Sequence, residues 1–155
     1  MGIRIREAVA DDVPLLKDLI DEMAVFERLP ISITEETLLR DGFHGVAKYR
    51  ALLAFSEKEP AGYAFVHDSY SSFDGRGIYL EDLYVRPAYR GKTFAIELLR
   101  AVARLALESG CVAVMLNILR WNSPSYKFFA RAGAMILEDR EVLRIDRESL
   151  EALTR

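Results

Sequence analysis

Ile3 and Ile5 alternate with Arg4 and Arg6, a period of two that predicts a half-buried first strand. The period then lengthens. Val13, Leu16, Ile20 and Met23 recur at helical spacing to about Phe26, with Asp11 as candidate N-cap and Pro14 in the first turn. Thr34 caps a short second helix through Glu35 and Arg40, ended at Asp41-Gly42. Tyr49–Phe55 and Ala61–His67 read as strands of a hairpin turning at Glu57–Pro60, and Ser69–Gly77 reads as a loop. Gly77–Val85 is the fourth strand. Phe94, Leu98, Leu99, Val102, Leu105 and Ala106 form the apolar face of the main helix, stopped by Gly110. Cys111–Leu119 is a fifth strand that the helical connection makes parallel to the fourth. A helix opening at Ser123-Pro124 and closing at Gly133, short strands around Met135 and Leu143, and a helix from Asp146 complete a mixed α/β unit over residues 1–155, without repeat or linker.

Composition narrows the class. A chain of 155 residues, 51% hydrophobic, can bury a real core as one domain. A net charge of −3 with no Lys/Arg run argues against nucleic acid as partner. The charged N-terminus is no signal peptide, and no apolar run reaches bilayer length. Two histidines and the lone Cys111 argue against a metal site. Cys111, in an apolar run, reads as a buried structural thiol of a reducing cytoplasm.

The chemistry concentrates in Gly77–Leu99. A strand ending at Val85 is followed by a turn at Pro87, a loop from Arg90 to Ala95, and a helix N-terminus. That order aims unpaired backbone N–H groups at one spot, which suits a phosphate-bearing ligand. Glu81 and Asp82 precede that spot on the strand. Alternation sends them to opposite faces unless a bulge intervenes, and Glu81 is taken as the cleft residue. A solvated carboxylate or a structural ion pair is the competing reading.

The loop Arg90-Gly-Lys-Thr-Phe-Ala95 resembles the acyl-CoA-binding motif of the GNAT superfamily, Arg/Gln-x-x-Gly-x-Gly/Ala, with Thr93 where glycine is usual. Ile78–Val85, Trp121–Ala134, Leu143–Leu150 and Leu39–Phe43 resemble its spermidine/spermine and thialysine N-acetyltransferase branch. The resemblance implies the GNAT fold, with fourth and fifth strands splayed around the donor, acetyl-CoA as co-substrate, and transfer of its acetyl group directly to a small-molecule primary amine. It also implies a homodimer. In its terms the backbone of Leu83, Tyr84 and Val85 pairs with the pantetheine arm. The amides of Gly91, Lys92, Thr93, Phe94, Ala95 and Ile96 hold the pyrophosphate, led in by Arg90. Thr93 is expected to strain a positive φ and to crowd the phosphates.

Glu81 maps to the base that takes the amine's proton, needed because an alkylamine near pKa ~10 is mostly protonated at neutral pH. Asp82, Glu27 and Glu138 map to substrate-binding positions, with plain surface carboxylates as the alternative for the last two. Asn122, Ser125, Phe129 and Arg131 map to the coenzyme side. Asn122, Ser123 and Ser125 also suit a helix start, with Ser123 expected as its cap and Asn122 as the better ligand, and Trp121 suits a wall of the cleft. Phe129 stands where the branch places a tyrosine that protonates the leaving thiolate. Tyr126, three residues earlier, is the candidate substitute, and core packing is its competing role. Three outcomes remain open: another hydroxyl serves, the thiolate leaves unassisted, or the protein binds acyl-CoA without turnover. An acceptor amine on a peptide or protein is a further alternative.

Overall fold

Charged residues alternating with isoleucine suit an edge strand, and Ile3–Glu7 forms β1 at one side of a five-stranded sheet in the computed structural model, which describes residues 2–155. The others are β2 (Arg50–Ser56), β3 (Glu59–Ser71), β4 (Gly75–Val85) and β5 (Val114–Met115), in the spatial order β1-β2-β3-β4-β5. The first four pair antiparallel, and β5 runs parallel to β4 after a helical crossover, α3 (Phe94–Glu108). Ala51–Ser56 of β2 is buried throughout because the sheet is covered on both faces. One face carries α1 (Val13–Glu27) and α2 (Glu35–Phe43), whose Val13, Leu16, Leu19 and Leu38 join Tyr49, Leu53, Phe55, Tyr63 and Tyr84 in one cluster. The other face carries α3 through buried Phe94, Leu98, Val102 and Ala106.

Local chemistry sets the helix starts. Asp12, not Asp11, organises the entry to α1, accepting from the Val9 N–H at 2.8 Å and from Arg6 at 2.6 Å above a 3₁₀ turn at Ala10–Asp12. Thr34 caps α2 as expected, its Oγ1 accepting from the Thr37 N–H at 3.1 Å. Gly42 does not stop α2, which runs to Phe43. Its glycine is needed for packing, since a Cβ there would meet the Tyr49 ring at 2.5 Å.

The segment expected as a loop at Ser69–Gly77 is instead the tip of a long hairpin. β3 continues to Ser71, β4 begins at Gly75, and Ser71 Oγ accepts from the N–H groups of Phe73 and Asp74 at 3.1 and 3.2 Å. The hydroxyl turns the chain inside three residues, and the strands stay paired to the tip.

Packing divides the chain into two units, one ending at Asn117 and the other spanning Ile118–Arg155. The second unit holds α4 (Ser123–Arg131), followed by Gly133 at φ +98°, and α5 (Arg147–Leu153), preceded by Asp146. The strands expected around Met135 and Leu143 do not form; these side chains are 81% and 85% exposed and lie in no ladder. An apolar run becomes a strand only when a neighbour supplies the pairing. The fifth strand shrinks for the same reason, from the expected Cys111–Leu119 to Val114–Met115, and Cys111 lies ahead of it, half-exposed rather than buried. No helix of the described residues is long and apolar enough to cross a membrane.

Candidate active site

The register of β3 against β4 slips at the two carboxylates. Phe65 faces Asp82 and Val66 faces Leu80, which leaves Glu81 as the extra residue of a β-bulge. A bulge cancels simple alternation. The side chain of Glu81 is 54% exposed, and its Oε2 lies 3.5 Å from Nε2 of His67 on the neighbouring strand. Asp82 is half-buried and accepts from the Tyr63 hydroxyl at 2.8 Å. Tyr63 is fully buried, with its oxygen also 3.3 Å from Met23 Sδ.

Asp82 feels two further carboxylates here. Burial raises the Asp82 carboxyl to about 6, the Tyr63 hydrogen bond opposes the rise, and the charges of Glu81 and Glu27 add to it. Glu27, at the C-terminal end of α1, is raised by burial. Burial and the Asp82 charge hold the Tyr63 phenol far above its ordinary range, so it stays a donor. The structure thus brings Glu27, Glu81 and Asp82 together, adding Tyr63 and His67, which sequence reasoning missed. A tyrosine within an apolar strand was a usable signal, because its buried hydroxyl requires a partner. His67 carried no comparable mark.

The strand edge beyond the bulge is open. β5 pairs with β4 only at Ile78 and Tyr79, so within this unit Leu83, Tyr84 and Val85 have no ladder partner on the side away from β3. The β4–β5 ladder therefore ends well short of Leu83. Past Val85 a 3₁₀ turn at Pro87–Tyr89 leads into the loop, where Gly91 takes φ +73°, a left-handed conformation that glycine adopts without strain.

Thr93 is the N-cap of α3 at φ −89° and ψ 5°, so the strain expected of a non-glycine residue does not arise. No side chain caps this helix, and the Thr93 carbonyl accepts from the Glu97 N–H at 3.0 Å. The first-turn amides of Phe94, Ala95 and Ile96 are therefore directed out of the helix end, where backbone dipoles favour an anion. Phe94 is buried and anchors the turn edge-on to Tyr89 at 5.3 Å, while Lys92 lies over the Tyr89 ring at 5.6 Å.

Arg90 turns back rather than forward. Its Nε donates to the Val85 carbonyl at 2.8 Å, and its guanidinium lies over the rings of Phe26 and Tyr84 at 4.6 and 5.6 Å. It fastens the loop to the strand end. The neighbouring Arg86 is fastened similarly, forked onto Glu22 at 2.8 Å and donating to the Pro60 carbonyl at 3.1 Å.

The remaining candidates belong to the second unit. Asn122, not Ser123, caps α4, its Oδ1 accepting from the Ser125 N–H at 3.4 Å because Ser123 is already the first helical residue, and Pro124 occupies the first turn. Tyr126 is half-buried. Phe129 is buried, its ring edge-on to Phe128 at 5.0 Å. Arg131 and Glu138 are exposed, as is Trp121.

A bulged acidic strand that runs into an uncapped helix end sets carboxylates beside a seat for an anionic ligand. The chain belongs to the acetyltransferase (GNAT) family, whose profile matches residues 16–134, and it is an N-acetyltransferase of that family. It is similar to the thialysine N-epsilon-acetyltransferase of Bos taurus, 36% identical over 149 residues that cover 90% of this chain and 88% of the relative. It is also similar to the spermidine/spermine N(1)-acetyltransferase-like protein 1 of Homo sapiens, at 32% identity over 95% of this chain and 23% of that protein. Among solved structures, an aminoglycoside N-acetyltransferase in complex with CoA superposes with a TM-score of 0.77 at 19% identity, covering 94% of this chain and 95% of that one.

Proposed function

We propose that residues 1–155 work as one acetyltransferase domain that moves the acetyl group of acetyl-CoA directly to a primary amine of a small polyamine-like or lysine/thialysine-like acceptor. The observation that carries this reading is the convergence of Glu27, Glu81 and Asp82 beside the open edge of β4. Clustered carboxylates attract a cationic acceptor and take the proton it must lose before attack. The relatives named for thialysine and spermidine/spermine acetylation support an amine of this kind.

The amide groups from Gly91 to Ile96 hold the donor's pyrophosphate, and the backbone of Leu83–Val85 aligns its pantetheine arm. Glu81, the most exposed of the three carboxylates, accepts the acceptor's proton directly or through a water. The free amine attacks the thioester carbonyl, the zwitterionic tetrahedral intermediate loses its ammonium proton to solvent as it collapses, and coenzyme A leaves as the thiolate. Holding both reactants together supplies much of the rate. With phenylalanine at 129 the thiolate takes its proton from solvent or another hydroxyl such as that of Tyr126. A homodimer in the cytoplasm is the working form that the branch suggests.

Free-thiol release from acetyl-CoA, read across spermidine, spermine, putrescine, thialysine, lysine and a short peptide, tests the proposal. Turnover with a small amine supports it. Turnover with the peptide alone would transfer the acceptor to a protein amine. Phe129 favours one second reading, an acyl-CoA-binding protein without turnover. Coenzyme stabilisation with silence across the panel would select it.

A further inference from the structure

His67 stands outside everything the acetyl-transfer reading requires, yet it contacts the residue that reading makes the base. Its two ring nitrogens are both engaged. Nδ1 lies 3.0 Å from the backbone carbonyl oxygen of Asp68, and Nε2 lies 3.5 Å from Glu81 Oε2. A carbonyl oxygen can only accept, so the Nδ1 contact places a proton on Nδ1. The neutral ring then turns a bare Nε2 lone pair toward the Glu81 carboxylate. Two acceptors therefore face one another, and a proton arriving on Glu81 has the Nε2 lone pair 3.5 Å away. Stacking on Tyr79, with ring centroids 5.1 Å apart and planes 16° from parallel, keeps the imidazole edge turned that way.

We infer that His67 is the proton outlet for Glu81: it draws off the proton that Glu81 takes from the acceptor and releases it to solvent. The inference rests on Glu81 being the base. In the first step the acceptor ammonium gives a proton to the Glu81 carboxylate, leaving a free amine. In the second, the Glu81 O–H proton passes to the Nε2 lone pair, which restores the carboxylate and makes an imidazolium. In the third, the imidazolium loses its Nε2 proton to water. One proton leaves per acetyl group transferred, and no redox change occurs. At 3.5 Å, a sub-ångström shift of either side chain closes the hydrogen bond needed for the second step. The His67 side chain is 38% exposed, so the third step has a path to water. Charged and titratable groups around His67 are Glu81 and Tyr79 on β4, Asp68 on its own strand, and Lys48, Tyr49, Arg50 and Arg76, which line a small hollow with His67 and Asp68. Arg76 and Arg50 are paired to Asp68 and Glu7 respectively.

The experiment compares wild type, Glu81→Gln and His67→Ala by acetyl-CoA thiol release with the best small amine, with and without added imidazole. For His67→Ala the expected result is a kcat lowered about tenfold, less than the loss of a whole general base. Its KM for acetyl-CoA and Tm should be unchanged, and free imidazole should restore the rate in a saturable way. A packing role for His67 would give no imidazole rescue, and that result overturns the inference. Glu81→Gln as active as wild type would remove the base itself, and the outlet with it. An inactive Glu81→Gln beside an unaffected His67→Ala would leave the base standing and sink the outlet alone. A second arm needs no turnover: ¹⁵N NMR of the imidazoles, with His67 assigned from the variant, should find the neutral ring protonated on Nδ1. A neutral ring protonated on Nε2 would contradict the geometry on which the outlet depends.

Discussion

Replacing Asp82 with asparagine should make this protein more stable at mildly alkaline pH, although the substitution sits in the candidate active site. The carboxyl of Asp82 is raised from 3.8 to about 6, first by burial and then by the charges of Glu81 and Glu27. At about 1.36 kcal/mol per pH unit, ionised Asp82 costs the fold about 3 kcal/mol. The direction with pH follows from proton counting. Below 3.8 both folded and unfolded chains hold the proton, and the position contributes no penalty. Between 3.8 and about 6 the folded chain holds more protons than the unfolded one, so stability falls as pH rises. Above about 6 the whole penalty is present.

The Asp82→Asn amide still accepts from the Tyr63 hydroxyl but carries no charge. Its new N–H groups need partners, which offsets part of the gain by about 1–2 kcal/mol. Thermal unfolding followed by circular dichroism should show Asp82→Asn above wild type by about 2–8 °C near pH ~8, the difference shrinking as pH falls and reversing near pH ~4, where only the cost of the amide N–H groups remains. A variant less stable at the alkaline end, or a difference that ignores pH, would refute the reasoning.

Other outcomes follow from single contacts. Tyr49→Phe removes a hydroxyl that donates to the Leu38 carbonyl at 2.6 Å, and denaturant unfolding should show a loss of about 1 kcal/mol. Gly91→Ala forces a Cβ into φ +73°, so it should cost about 1 kcal/mol and weaken acetyl-CoA binding measured by calorimetry. Thr93→Gly should tighten acetyl-CoA without raising Tm, because Thr93 at φ −89° has no strain to relieve. A rise in Tm would show that strain was present. Phe129→Tyr should raise kcat if protonation of the thiolate limits turnover, read from the pH–rate profile of thiol release.

Periodicity located most of the scaffold. Ile3–Glu7, the α1 stripe and the Phe94–Ala106 face lie where the two periods place them, because each buries one side against the sheet. What failed was set by long-range pairing. The hairpin tip at Ser71–Gly75 depends on a side chain bonding to its own turn, and the apolar residues at Met135 and Leu143 find no ladder. The candidate site was legible as residue types but not as arrangement. The motif predicted an anion-binding helix end and a Glu-Asp pair. The bulge at Glu81 is a register event that no local pattern reports. It leaves Glu81 outside the regular pairing and beside His67, whereas Tyr63 meets Asp82 diagonally across the regular pairs Tyr63–Tyr84 and Phe65–Asp82. The expected strain at Thr93 failed because the loop spends its one left-handed residue at Gly91, where glycine already stands. Arg90 shows the same limit: the motif set it at the start of the loop, and only the structure shows its side chain fastened to the Val85 carbonyl and two rings.

The central claim is acetyl transfer to a small amine with Glu81 as base. It is tested most directly by mass spectrometry of thialysine and spermidine after incubation with acetyl-CoA and either wild type or Glu81→Gln. The account predicts a monoacetylated amine with wild type and its loss, by about 10²-fold or more, with the variant. Equal acetylation by both proteins, or none of either amine by a wild type that acetyl-CoA stabilises, would contradict it.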